Sequence, residues 1–205
     1  YVFTLNGGHI YDLYEGCVDN GIKVIDFRHE QSAAHAAEGW AKVTGRPGVG
    51  IVTAGPGVTD AVTAVANAFQ APSPMILVGG NSGISEALMG GLQEFDSVSL
   101  LRPITKWAQQ VPHVSRIPDF VATAFRYATT EKPGPSYLEI PIDIVNGHIE
   151  EDEVVLPTGY RTRARSYGDP EYIQKVVELL KKSHHPVVLA GTDVWWSEAW
   201  DELRE

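Results

Sequence analysis

Short apolar runs alternate along this chain with longer segments of small and helix-forming residues. Residues 1–5, 22–27, 49–53 and 75–78 are apolar and closed by turns, which predicts strands. Residues 9–20, 31–44 and 58–69 carry the helical pattern between them. Gly21 and Gly45 stand just past two helix ends, and Ala71-Pro72-Ser73-Pro74 breaks the third. Strands that alternate with helices at this spacing predict right-handed βαβ units. The expected fold is therefore a three-layer α/β/α arrangement around a mostly parallel sheet.

The pattern loosens after Asn81. Glycines at 83, 90 and 91 suggest a loop with short helical pieces up to Ser97. Residues 104–111 read as a strand, and Pro118 as the first residue of a helix to about Thr129. A turn at 131–135 precedes a strand over 136–140. From Gly147 the character changes. Glu150, Glu151, Asp152 and Glu153 form an acidic run, and Arg161, Arg163 and Arg165 a basic one, as in a surface linker. Asp169-Pro170 then opens a helix with apolar residues at 172, 173, 176, 177, 179 and 180. Residues 186–190 read as a strand and 195–205 as a helix, the first β-α unit of a second α/β domain. The expected division is 1–146, a linker at 147–168, and the truncated start of a central domain at 169–205.

Composition narrows the function. The 205 residues carry a formal net charge of -10, which argues against binding duplex nucleic acid, since that needs a basic face. Cys17 is the single cysteine; it cannot form an internal disulfide and fits a reducing, cytoplasmic setting as a small buried residue. The apolar runs are too short to span a bilayer, so no membrane association is expected. The chain opens without Met on a strand-like segment, so no signal peptide is expected and the natural start is expected upstream.

The stretch Asp26-Phe27-Arg28-His29-Glu30-Gln31 draws the chemistry together. Glu30 sits where a strand hands over to a helix, and ligands of open α/β sheets bind just outside the carboxyl ends of strands. A glutamic acid that keeps its proton there can donate a hydrogen bond to a ring nitrogen. The plainer alternative is a helix-start Glu favoured by the helix dipole. His29 and His35 do not suggest zinc, because six residues place them about 240° apart around a helix. Gly55-Pro56-Gly57 lies where a dinucleotide loop would, but Asp60 occupies the third glycine position and would repel a pyrophosphate. These glycines either let a backbone approach a flat, uncharged group or simply make a tight turn. Ser82 lacks the second glycine of a nucleophile elbow. His9 follows strand one beside Gly7-Gly8 and, in a parallel sheet, opens onto the same edge as Glu30; a capping or surface role is the alternative.

Taken together, the residues resemble the N-terminal, pyrimidine-binding domain of thiamine-diphosphate enzymes related to acetolactate synthase. The resemblance rests on Asn6-Gly7-Gly8, Arg28-His29-Glu30-Gln31-Ser32-Ala33 and Ala36-Ala37-Glu38-Gly39-Trp40-Ala41. It continues through Thr53-Ala54-Gly55-Pro56-Gly57, Gln93-Glu94, Arg102-Pro103-Ile104-Thr105-Lys106 and Ile140-Pro141-Ile142-Asp143, over about residues 1–146. It implies that Glu30 hydrogen-bonds the aminopyrimidine N1′ of thiamine diphosphate and so activates the cofactor toward a 2-oxo acid or related carbonyl substrate. It further implies that Gly55, Pro56, Gly57 and Gln93 lie at the cofactor and Lys106 near the substrate entrance. Mg2+ would be held by a Gly-Asp-Gly motif that this sequence lacks, FAD is left open as a further cofactor, and no metal is assigned to these residues. His9 stands where acetolactate synthases commonly carry an apolar residue, which points it at substrate choice. A 2-hydroxyacyl-CoA lyase, a cyclic-dione hydrolase and a noncatalytic dimerising paralogue remain open. A homodimer or homotetramer is expected, with the alanines of the second helix offering a small face to a second copy.

Overall fold

A computed structural model describes residues 1–160 and 167–205. Six strands form one sheet in the order β2-β1-β3-β4-β6-β5, and every pairing is parallel. They are β1 (Val2–Thr4), β2 (Val24–Asp26), β3 (Gly48–Val52), β4 (Met75–Asn81), β5 (Trp107–Gln110) and β6 (Pro135–Pro141). The helices between them are α1 (Tyr11–Asp19), α2 (Glu30–Thr44), α3 (Pro56–Gln70), α4 (Ser97–Leu101) and α5 (Ile117–Thr129), followed by the short α6 (Ile142–Val145).

The sheet separates two apolar cores. On one face Ala33, Ala34 and Ala37 of α2 and Val58, Ala61, Ala64, Val65 and Ala68 of α3 pack with Leu77 and Tyr137. On the other, Ile10, Cys17, Ala124 and Ala128 pack with Val2, Ile51, Ile76 and Leu138. Strands covered on both faces read as continuous apolar runs, which is why β4 and β6 are buried along their whole length. The result is the expected three-layer α/β/α fold.

Local sequence fixes the helix ends. His29 accepts a hydrogen bond from the Gln31 amide through Nδ1 at 3.2 Å and so caps α2, while Gly45 closes it in the left-handed conformation at φ 68°. Pro56 opens α3 at the position where its missing N–H costs nothing. The alanines let α2 lie close to β3: a Cβ on Gly48 would come within 1.8 Å of the Ala37 carbonyl oxygen. The alanine face is therefore already covered inside the chain, with Ala33, Ala34, Ala37 and Ala41 fully buried. This corrects the expectation that it meets a second copy.

The compact units divide at residues 161 and 162. The expected basic linker residues Arg161, Arg163 and Arg165 lie outside the described residues. In the second unit Asp169 caps α7 (Pro170–Lys182) by accepting from the Glu171 and Tyr172 amides. Two short helices follow, α8 (Thr192–Trp196) and α9 (Trp200–Arg204). Residues 186–190, expected as a strand, pair with no other described residue as a strand; among the described residues of this unit no strand offers them backbone partners. Val187, Val188 and Leu189 are exposed, as are Tyr172, Ile173, Val176, Leu179 and Leu180 of α7.

Candidate active site at the carboxyl edge of the sheet

The strand order places a crevice in the sheet. The chain leaves β1 for β2 on one side and returns to β3 on the other, so the loops after β1 and β3 diverge at their carboxyl ends. His9, Glu30 and the Gly55-Pro56-Gly57 turn all follow strand ends on this edge.

Glu30 is the first residue of α2 and its surface is only 9% exposed. Its Oε1 lies 3.5 Å from the point where a Cβ on Gly57 would stand. The same Cβ would come within 2.8 Å of the Thr53 methyl, so Gly57 keeps open the space between Glu30 and Thr53. Gly55 caps α3 at φ 52°, a conformation disfavoured for side-chain-bearing residues. A Cβ there would lie 2.5 Å from the Gln93 carbonyl oxygen. Gln93, itself in a left-handed conformation at φ 59°, is thereby brought from the loop after β4 against the α3 start.

The Gln93 loop has its own fastening. The Glu94 carboxylate accepts hydrogen bonds from the amides of Leu88, Gly90 and Gly91, which hold it below the usual carboxylate range. Asn81 Nδ2 donates to the Phe95 carbonyl at 3.1 Å and ties the end of the loop to β4.

His9 is buried in a short 3-10 turn. Its Nδ1 lies 3.2 Å from the Thr53 hydroxyl, and its Cβ packs 2.7 Å from where a Cβ on Gly80 would be. Thr53 is the residue that sequence reading passed over. It touches the loop after β1, the α3 start and the space before Glu30, and only its place after β3, in the Thr53-Ala54-Gly55-Pro56-Gly57 stretch, could have marked it.

Lys106 is not brought to this group. It precedes β5, whose first residue pairs with Ser136 near the start of β6, so it stands at the amino-terminal end of the sheet. Its Nζ donates to the carbonyls of Thr130 at 2.5 Å and Lys132 at 2.8 Å, fastening the turn before β6. Burial lowers the pKa of its ammonium, with Glu131 acting against that. The lysine expected near the substrate entrance therefore lies away from Glu30, His9 and the Gly55-Pro56-Gly57 turn, because a parallel strand puts its two ends on opposite edges of the sheet.

Two further features stand beside the group. His29 Nε2 lies 3.8 Å from Asp60 Oδ2, so Asp60 faces the start of α2. Beyond the Gln93 loop a cleft of about 700 Å3 has Glu139 at its floor. Glu139 is 2% exposed and accepts from Gln110 Nε2 at 2.8 Å and from the Tyr137 hydroxyl at 3.0 Å. Burial raises its pKa, with the donors Asn81, Gln110 and Tyr137 opposing the rise.

Residues 1–100 match the family described as "Thiamine pyrophosphate enzyme, N-terminal TPP binding domain". The chain is thus related to the thiamine pyrophosphate enzymes, acetolactate synthases and 2-hydroxyacyl-CoA lyases among them. It is 37% identical over 203 residues to the acetolactate synthase large subunit IlvG of Mycobacterium tuberculosis, covering 97% of this chain and 36% of that protein. A probable acetolactate synthase large subunit of Methanocaldococcus jannaschii is 37% identical over 209 residues, covering 98% of this chain and 35% of that protein. The 2-hydroxyacyl-CoA lyase 2 of Mus musculus is 42% identical over 224 residues, covering 94% and 35%. The chain thus spans about a third of the length of the curated relatives it matches. Among the described residues no helix is long and apolar enough to cross a membrane.

Proposed function

We propose that this chain supplies the pyrimidine-binding part, residues 1–146, of a thiamine-diphosphate enzyme acting on 2-oxo acids or related carbonyl substrates by decarboxylation and carboligation. Residues 147–168 then act as a linker, and 169–205 begin a central domain. The observation that carries the reading is the placement of the Glu30 carboxyl 3.5 Å from the open position above Gly57. A flat ring needs such a side-chain-free approach, and a carboxyl group at its edge can hold or pass a proton at a ring nitrogen.

The bound cofactor supplies a carbon nucleophile and an electron sink. The chain's own residues do the rest. Glu30 holds a proton at N1′ of the aminopyrimidine. Gly55, Pro56 and Gly57 bring backbone against the ring, and Gln93, held by Gly55, closes one side. His9 faces the carbonyl substrate. Lys106, fixed at the opposite edge, takes no part.

For a metal, the described residues offer one group, His29, Glu30 and Asp60, whose donor atoms lie within 4.8 Å of one another. Ligation there would take Glu30 from the ring nitrogen, and Mg2+ favours oxygen-rich octahedral sites. The reading therefore assigns Mg2+ to residues outside this chain, and FAD, where bound, to the central domain. It includes a homodimer or homotetramer in the cytoplasm.

A second reading, a 2-hydroxyacyl-CoA lyase, is favoured by His9, a polar residue at the substrate edge, and by the likeness to the mouse protein bearing that name. One assay addresses both readings. The enzyme carrying this chain, freed of thiamine diphosphate and resupplied with it and Mg2+, is offered pyruvate and a 2-hydroxyacyl-CoA. Cofactor-dependent CO2 release supports the first reading, and cofactor-dependent cleavage of the carbon–carbon bond beside the thioester carbonyl, read as aldehyde release, supports the second. Turnover that persists without thiamine diphosphate would refute both.

A further inference from the structure

We propose that Thr53 is a positioning residue, whose hydroxyl fixes the ring of His9 and leaves Nε2 as the nitrogen offered to the crevice. The kinetic part of this inference rests on the reading of His9 given above; the geometric part does not.

Three contacts converge on Thr53. Its Oγ1 lies 3.2 Å from His9 Nδ1 in a buried pair. A Cβ on Gly7 would stand 2.3 Å from the Thr53 Cβ, and one on Gly57 would stand 2.8 Å from its methyl. The loop after β1 and the start of α3 therefore both approach this side chain, each with a glycine. His9 is gripped from the other end at Gly80, where its Cβ fills the space of a missing side chain. With its root held by β4 and Nδ1 by Thr53, the imidazole cannot turn over without losing the hydroxyl. Nε2 makes no hydrogen bond among the described residues. In a histidine the partner of one ring nitrogen decides the role of the other.

The test separates the hydroxyl from the bulk. Thr53→Val keeps the shape and removes the donor and acceptor; Thr53→Ser keeps the hydroxyl and removes the methyl group. Long-range 1H–15N NMR of the 205-residue chain reads the His9 tautomer directly. The Val variant is expected to shift the two ring nitrogens toward the mixed population of a solvated imidazole, and the Ser variant to keep the wild-type pattern. Should the Val variant not fold, Thr53→Ala answers the same question. Wild-type ring shifts in the variant lacking the hydroxyl overturn the proposal.

In the complete enzyme, Thr53→Val is expected to lower kcat by on the order of 10²-fold, as misplacement of a reacting group does. KM should change far less, and the Val change should add nothing to His9→Ala, because the two act as one unit. Altered ring shifts with wild-type kcat support the positioning role and overturn the reading of His9 as substrate-facing.

Discussion

Replacing Glu38 with Gln tests what holds the two helices of the candidate site together. Glu30 begins α2 and Gly57 lies at the start of α3, so their separation depends on how those helices are fastened further along. Glu38 does this from the middle of α2. Only 3% exposed, it accepts from Lys42 Nζ at 2.5 Å and, on both oxygens, from Asn67 Nδ2 of α3 at 2.8 Å. Ser73, in the turn before β4, reaches it at 3.5 Å and His35 at 3.4 Å. A hydrogen bond to a charged group contributes about 1.5–3 kcal/mol. Glutamine keeps one acceptor oxygen, and Lys42 and Asn67 are exposed enough to rehydrate once released. The loss is therefore near one such bond, about 2 kcal/mol. That lowers the unfolding temperature by about 4–8 °C for a unit of this size.

The pH dependence has a definite sign. Burial alone would raise the Glu38 carboxyl above its ordinary 4.5, but the Lys42 and Asn67 donors, with His35, outweigh burial and leave it lowered. A group whose folded pKa is depressed stabilises the fold above its unfolded pKa and loses that contribution as pH falls through the folded value. Thermal and urea unfolding followed by circular dichroism should thus show the full gap between wild type and Glu38→Gln near neutral pH. The gap should close progressively below about pH 4.5. A gap that is constant between neutral and acid pH, or under about 0.5 kcal/mol at neutral pH, would refute this account of the cluster.

Glu139→Gln should behave in the opposite sense: its carboxyl is raised by burial, so the wild type loses stability as pH rises from its ordinary value through the raised one, and the variant should gain on it over that rise; parallel curves would contradict this. In the complete enzyme, Glu30→Gln should bind the cofactor yet exchange its C2 proton about 10²–10⁴-fold more slowly, read by deuterium exchange and NMR after acid quench; a wild-type rate would remove Glu30 from that role. Gly48→Ala puts a Cβ within 1.8 Å of the Ala37 carbonyl oxygen and should destabilise by more than about 2 kcal/mol in urea titration, unless α2 can move away from β3. Lys106→Met should leave kcat and KM close to wild type while lowering the melting temperature, because its ammonium fastens the turn at 130–132; a large change in KM would return it to the substrate.

The sequence by itself determined the layers. Apolar runs closed by turns and separated by helical segments fixed a parallel sheet, because strands buried on both faces must be apolar throughout and parallel neighbours need a helical crossover. The passage from β2 to α2 placed Glu30 at a strand-to-helix handover, and Gly55-Pro56-Gly57 was readable as a turn where backbone approaches something closely. These are local properties, carried by residues a few positions apart. Tertiary structure decided what no local pattern carries. It made Thr53 the meeting point of two loops 44 residues apart along the chain. It turned the alanines of α2 inward, where periodicity alone does not say whether a small face meets its own chain or a copy. Sheet order and strand direction sent Lys106 to the far edge, since residues on either side of a strand look adjacent in sequence but open onto opposite ends of the sheet. The apolar run at 186–190 shows the same limit: composition can make a strand favourable, but its hydrogen bonds need partners that sequence pattern alone does not supply.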